Sequence, residues 1–495
     1  MLLFNYAFNN FLYFLIILHF QFTKEYLVFP IKTFYPNNFS QINNSDLFSA
    51  QDFLDFLVPN NIYTYFYIGT PPIKIYTFIE SEDYESYMDN SICPLPSIYN
   101  NDTSSTFVKT SEFNIYYSSF SNMCFAKETF AAYTDFDLNE NKIKIMPNIT
   151  FLYATKPHKD RLLSKFEENI NITNYSCFHM GLQLTSSNFF DIIVNQFKKL
   201  DYIESTYWTI EFNSYNLFDN DEPNYLIIGL PPHKYNPEKY SENEFKSTVA
   251  QLRTNDYDLR VSSWGIIFDK IYFSNNITSN YIQFISIKCK FLISLNIIEG
   301  SRDYLDNIEN DFFNELYNKN ICYKNELIDK NNENYFVIWC NKNNFTQIKY
   351  FPTLYFKSVE LNYTFELTYE DLFKINHNKI FFMVIFKKRG YMFTFGKIFF
   401  KKYLLTFSFD NKLIGFYDNI NKVVTSNKKI NNKMSLKYQI LIIIIILFCF
   451  LIIFICYIMI KRRCLTDRQK RINELIDDNY IYMENKAKLN NKIVN

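Results

Sequence analysis

Ile62-Tyr63-Thr64-Tyr65-Phe66-Tyr67-Ile68-Gly69-Thr70-Pro71-Pro72, followed by Ile73 to Ile79 and then Glu80-Ser81-Glu82, is the stretch that decides the fold. Its first seven residues are all β-branched or aromatic, and they run into a Gly-Thr-Pro-Pro turn, as a strand does where the backbone must reverse. Lys74 to Ile79 reads as the returning strand. The pair predicts a hairpin that carries Glu80 at its tip.

The same β-type patterning continues outward from this hairpin. Further strands are expected at Trp208 to Phe212, Tyr225 to Ile228, Gly265 to Phe273, Tyr350 to Phe356, Tyr391 to Phe395 and Leu404 to Phe409. Helical spacing is confined to Asn188 to Leu200 and Tyr304 to Tyr317, the second with acidic residues near its start. A β-rich chain normally spends many glycines on turns, yet this one has only eight in 495 residues. Those that remain are expected where a Cβ has no room.

Length allows a large core divided into two or more lobes. Formal charge is zero, so nothing favours a nucleic-acid partner. Met1 to Phe22 is an apolar, aromatic-rich start that reads as a signal peptide, although its first residues lack Lys and Arg. A second apolar run, Ile440 to Ile460, has 21 residues without a charge, enough to cross the roughly 30 Å hydrocarbon core. Lys461-Arg462-Arg463 follows at once, which places the tail in the cytosol and predicts a single-pass type I membrane protein.

Two patterns agree with an ectodomain in the secretory pathway. Asn38, Asn43, Asn101, Asn148, Asn171, Asn174, Asn276, Asn344 and Asn362 each open an Asn-x-Ser/Thr acceptor before the apolar run. Six ectodomain cysteines stand without CxxC spacing, and Cys322 with Cys340, then Cys93 with Cys124, are the expected disulfides. In the tail, Cys464 is a candidate for palmitoylation, and Tyr480-Ile481-Tyr482-Met483 has the form of a sorting signal.

From about Asn60 to Asp418 the chain resembles the pepsin-like aspartic proteases. Ile68 to Pro72 is similar to that family's opening turn, Thr103-Ser104-Ser105-Thr106-Phe107 to its Ser-Ser-Thr-Phe segment, and Ile115-Tyr116-Tyr117 to the strand entering its flap, with Tyr117 as the flap tyrosine. Phe178-His179-Met180-Gly181-Leu182, Tyr225 to Gly229, Trp264 to Ile271, Phe351 to Phe356 and the closing blocks Phe395 to Tyr403 and Ile414-Gly415-Phe416 follow in the family's order. The resemblance implies a mainly β, bilobal acid-protease fold with a peptide cleft between lobes. Each lobe of an active member supplies one Asp, and the pair shares a proton so that it acts as base and acid in turn.

Neither acid is in place here. Glu80 stands at the first Asp position, where the extra methylene moves the carboxylate by about 1 Å, a misplacement that can cost ~100-fold. Ser294, after the apolar Phe291-Leu292-Ile293, stands at the second and cannot share a dyad proton. The five histidines are scattered, so no metal site is predicted, and no cofactor.

The expected organisation is signal peptide 1–22, an N-terminal or pro-like segment 23–59, first lobe 60–240, second lobe 241–420, linker 421–439, transmembrane helix 440–460 and cytoplasmic tail 461–495. The expected function is that of a non-catalytic pseudopeptidase, a monomer at the cell surface or an endosomal or vacuolar membrane, binding a peptide or protein in its cleft. The alternatives are an active aspartic endopeptidase with an atypical dyad, and a surface adhesion or scaffold glycoprotein.

Overall fold

The computed structural model describes residues 25–33, 62–81, 86–89, 99–113, 123–154, 177–184, 192–212, 224–253, 261–273, 287–293, 295–300, 302–328, 332–345, 348–376, 378–388, 392–417 and 436–493. Two compact units divide the chain at Val424/Thr425. The first is mainly β.

Its N-terminal part contains β1 (Leu27–Thr33), β2 (Ile62–Ile68), β3 (Ile73–Glu80), β4 (Tyr87–Asp89), β5 (Val108–Phe113), β6 (Met123–Tyr133), β7 (Ile143–Ala154), β8 (Cys177–Gly181), helix α1 (Ile193–Lys199), β9 (Tyr207–Glu211) and β10 (Asn224–Ile228). The C-terminal part contains β11 (Phe245–Val249), β12 (Leu252–Arg253), β13 (Val261–Ser263), β14 (Gly265–Phe268), β15 (Lys270–Phe273), β16 (Ile287–Phe291) and β17 (Ile298–Gly300). Helices α2 (Arg302–Ile308) and α3 (Asn314–Asn318) come next, joined by a π turn. They are followed by β18 (Cys322–Ile328), β19 (Asn334–Asn341), β20 (Leu354–Ser358), β21 (Tyr363–Leu367), β22 (Phe373–Asn376), β23 (Lys379–Phe382), β24 (Val384–Lys387), β25 (Phe393–Phe395), α4 (Lys397–Tyr403), β26 (Thr406–Ser408) and β27 (Leu413–Tyr417).

One sheet joins the two ends of this unit, in the order β11-β27-β26-β9-β10-β1-β2-β3-β8-β4-β7-β6-β5. β26 pairs with β9 across the lobes, Phe407 opposite Trp208, and their rings stack 4.2 Å apart with Trp264 edge-on to both. Burying rings of this size is the largest apolar gain available to a side chain, so the lobes share one core. β1 lies inside that sheet, between β10 and β2. The segment read as pro-like therefore supplies a central strand, and loss of all of residues 23–59 would remove it.

An internal repeat underlies the two lobes. In the first, β3 runs parallel to β8, β8 antiparallel to β4, and β4 parallel to β7. In the second, β16 runs parallel to β25, β25 antiparallel to β17, and β17 parallel to β24. β3 and β16 are thus counterparts.

The hairpin β2–β3 forms as predicted, with its turn at Gly69–Pro72, where Gly69 has φ +87°. Glu80 lies at the opposite end of β3 from that turn, which corrects its placement at the hairpin tip. Glu128, buried on β6, holds the turn in register. It accepts hydrogen bonds from Tyr99 (2.5 Å), Ser104 (2.7 Å) and Thr106, while Ser104 accepts one from the Thr70 amide at 3.0 Å. The hydroxyl-rich segment 103–106 is needed because a buried carboxylate must have its lone pairs satisfied. Gly265 to Phe273, expected as one strand, is two, broken at Asp269 because its halves join different sheets.

The second unit contains α5 (Leu436–Ile493). Among the described residues no helix is long and apolar enough to cross a membrane. Within α5 the side chains of 436–447, 449, 450, 453 and 487–493 are outside the described set.

Candidate functional site

β3 ends at Glu80 and runs parallel to β8, with Phe78 opposite His179 and Glu80 opposite Gly181. Alternate residues of a strand share a face, so Phe78, Glu80 and His179 lie together. His179 Nδ1 and Glu80 Oε1 share a hydrogen bond of 2.6 Å, the imidazole 11% exposed and the carboxylate 28%. Tyr87, opposite His179 on β4, stacks on the imidazole at 4.1 Å with the ring planes nearly parallel, and Phe78 packs 5.2 Å from it. The histidine is thereby fixed in position, and through it the carboxylate.

Sequence reasoning missed this histidine as a site residue. Its signal was the parallel pairing of two short strands roughly 100 positions apart, which no local pattern contains.

Ser81 is buried, and its hydroxyl accepts a hydrogen bond from the Ile293 amide of the second lobe at 3.4 Å. Trp264, also from the second lobe, donates its indole N–H to the Leu182 carbonyl at 2.6 Å, just past β8. Two bonds therefore tie the ends of β3 and β8 to the other lobe.

Ser294 itself lies outside the described residues, as do Tyr117, Cys93 and the neighbours Glu82 and Asp83. The chain around Ser294 is described. Phe291 pairs with Phe395 and the Leu292 amide donates to the Phe395 carbonyl at 2.9 Å, so Leu292 comes opposite Gly396 as Glu80 comes opposite Gly181. A turn then closes from Leu295 N to Leu292 O at 3.3 Å, and the Lys397 amide reaches the Leu295 carbonyl at 2.7 Å. By strand register Leu292, two residues before Ser294, is the counterpart of Glu80. In either register no acid stands at the position equivalent to Glu80, because residues 291–298 contain no Asp or Glu; the next acid, Glu299, lies on β17 opposite Thr394.

Gly396 sits where a Cβ would run into the Leu295 and Ile297 carbonyl oxygens. Lys397 follows it, 3% exposed, and burial pulls its ammonium pKa down to about 8. Its Nζ lies 5.3 Å from the centre of the Phe212 ring.

Cys322 and Cys340 form the expected disulfide, opposite one another on β18 and β19. Cys124, expected to bridge to Cys93, is buried on β6, and Cys93 lies outside the described residues. Among the acceptor asparagines, Asn148, Asn344 and Asn362 are exposed and Asn101 is half-buried, while 38, 43, 171, 174 and 276 lie outside the described residues. Among the described residues no three His, Cys, Asp or Glu side chains gather where they could hold a metal ion.

No family model matches the sequence, and no curated protein does. Solved structures share the fold. Conglutin gamma, a basic 7S globulin from lupine seeds, aligns with a TM-score of 0.54 at 10% identity over 80% of this chain and 96% of its own. Basic 7S globulin from soybean aligns with a TM-score of 0.51 at 11% identity over 80% and 95%. Identities this low carry the fold alone, a distant pepsin-like one.

Proposed function

We propose that this chain is a membrane-anchored protein of pepsin-like fold that binds a peptide or protein segment between its lobes without cleaving it. The observation that carries this reading is the partner of Glu80. A shared-proton dyad needs two carboxylates in contact. Here the carboxylate at the end of β3 is engaged by the His179 imidazole at 2.6 Å, and residues 291–298 bring no second acid. An imidazole and one carboxylate cannot distribute a proton as two like acids do, so the water activation of the active family has no equivalent pair.

The anchor is supported by the charge-free run 440–460 and the basic triplet after it. The test uses the purified full-length protein in detergent, incubated with a diverse peptide library from pH 3 to 7 and read by mass spectrometry. Peptides retained intact on the immobilised protein are the expected result. Cleavage that disappears in Glu80→Ala would sink the reading in favour of an atypical peptidase. Neither cleavage nor retention would favour the scaffold alternative.

A further inference from the structure

α5 runs unbroken from Leu436 to Ile493, and that span contains neither glycine nor proline. From Lys461 onward its 33 residues extend about 50 Å at ~1.5 Å per residue. Leu465, Ile472, Leu475, Ile476, Tyr480, Ile481, Tyr482 and Met483 are all 45–74% exposed along it. Four of these eight fall on two rows that repeat every seven residues, Leu465, Ile472, Asn479 and Lys486 on one and Arg468, Leu475 and Tyr482 on the other, while Ile476 and Met483 flank the rows and Tyr480 and Ile481 lie off them. The sequence continues the rows at Leu489 and Ile493.

We propose that residues 465–493 are the pairing surface for a second copy of this chain, in a parallel two-stranded coiled coil. A seam at 3–4 spacing is what two supercoiled helices bury, and Ile472 on the first row with Leu475 on the second is the combination that favours two parallel strands. Asn479 selects the same arrangement. In the single helix its side-chain amide donates back to the Leu475 carbonyl at 2.9 Å. In a parallel pair the two Asn479 face each other and can bond, whereas an antiparallel pair would set Asn479 against Leu475 or Tyr482. The flanking positions raise no objection, since a parallel register sets Arg471 beside Ile476 and Asp478 beside Met483, without like charges in contact. Arg468 and Lys486 in the seam limit its stability. A lipid surface is the poorer occupant: a helix continuous with 440–460 cannot lie flat in the headgroup layer while that run crosses the bilayer. This last step rests on the membrane reading above; the seven-residue spacing does not. The pairing revises the expectation of a monomer.

The test is cysteine cross-linking in the full-length protein. Cys449, Cys456 and Cys464 are replaced by Ser, and single cysteines are placed in turn at 472, 473, 474, 475, 477, 479, 481 and 482 in cell membranes treated with a mild oxidant. Dimer bands at 472, 475, 479 and 482 about fivefold stronger than at 473, 474, 477 and 481 are expected for a parallel seam. Uniform or absent cross-linking, or cross-linking only to a different protein, would overturn the proposal. Native mass spectrometry of the detergent-solubilised protein supplies the second readout: Ile472→Asp with Leu475→Asp should convert dimer to monomer, and a dimer unaffected by both would place the contact elsewhere. Carbonate extraction of the membranes reports separately on the anchor, since release by carbonate sinks the membrane reading and leaves the heptad pattern to be judged by itself.

Discussion

Lys397 is a lysine held almost entirely out of water, and that burial has a calculable consequence. Its side chain is 3% exposed at the start of α4, and desolvation lowers its pKa from 10.5 to about 8. Each unit is worth about 1.4 kcal/mol, so the charged form is penalised by roughly 3 kcal/mol on folding. The folded-state pKa of this base lies below the unfolded one, which fixes the sign. Below pH 8 both states are protonated and the folded state bears the whole penalty. Between 8 and 10.5 the unfolded chain holds a proton that the folded chain has shed, so stability rises with pH.

Lys397→Met keeps the length of the side chain and removes the charge, so it should stabilise the protein at pH 7 by up to about 3 kcal/mol. The advantage should close as pH approaches 10.5. Urea unfolding of parent and variant, followed by the fluorescence of the buried Trp208 and Trp264, measures the difference at each pH. Taking the difference cancels the tyrosines that titrate in the same range. Stability curves that run parallel across pH 7 to 10.5, or a variant weaker than the parent at pH 7, would refute the reasoning, because either result means that contacts of the ammonium outweigh its desolvation.

Gly396→Ala should cost at least about 3 kcal/mol, since its Cβ meets main-chain oxygens that cannot swing away; Gly415→Ala, which meets the Phe245 ring, should cost under about 2 kcal/mol in the same urea assay. Replacing Cys322 and Cys340 together by Ser opens a link across 18 positions and should cost about 3 kcal/mol on the chain-entropy account, read as a lowered urea midpoint. Trp264→Phe leaves the buried Leu182 carbonyl without the indole N–H and should cost roughly 1–3 kcal/mol, with hydrogen exchange rising at both ends of the lobe contact.

The hairpin β2–β3 was legible because β-branched and aromatic residues, a Gly-Thr-Pro-Pro turn and alternating burial all act over a few residues. Glu80 was legible as an odd residue in a familiar frame. His179 was not, since its role depends on β3 lying parallel to β8 with Phe78 opposite it. The break at Asp269 escaped for a similar reason: Gly265 to Phe273 has one continuous β pattern, and only the sheet partners of its halves differ. β6 and β7 were also overlooked. Their facing residues include Lys127, Glu128 and Lys144, which dilute an apolar alternation that tertiary pairing nonetheless enforces.

The chain around Glu80 is held by contacts that do not involve the Glu80 carboxylate. Gly69 turns the chain, Ser104 and Glu128 hold that turn, and Ser81 with Trp264 connects the lobes. A difference between neighbouring substitutions follows. Ser81→Ala leaves the Ile293 amide unpaired beside a buried methyl and should cost about 1–3 kcal/mol. Glu80→Gln preserves an acceptor for His179 on a side chain already 28% exposed, and should shift stability by less than about 0.5 kcal/mol. Urea midpoints of the two variants decide the matter. If Glu80→Gln proves the more damaging, the Glu80 and His179 pair is a structural support of the lobe, and the proposed function loses the observation that carries it.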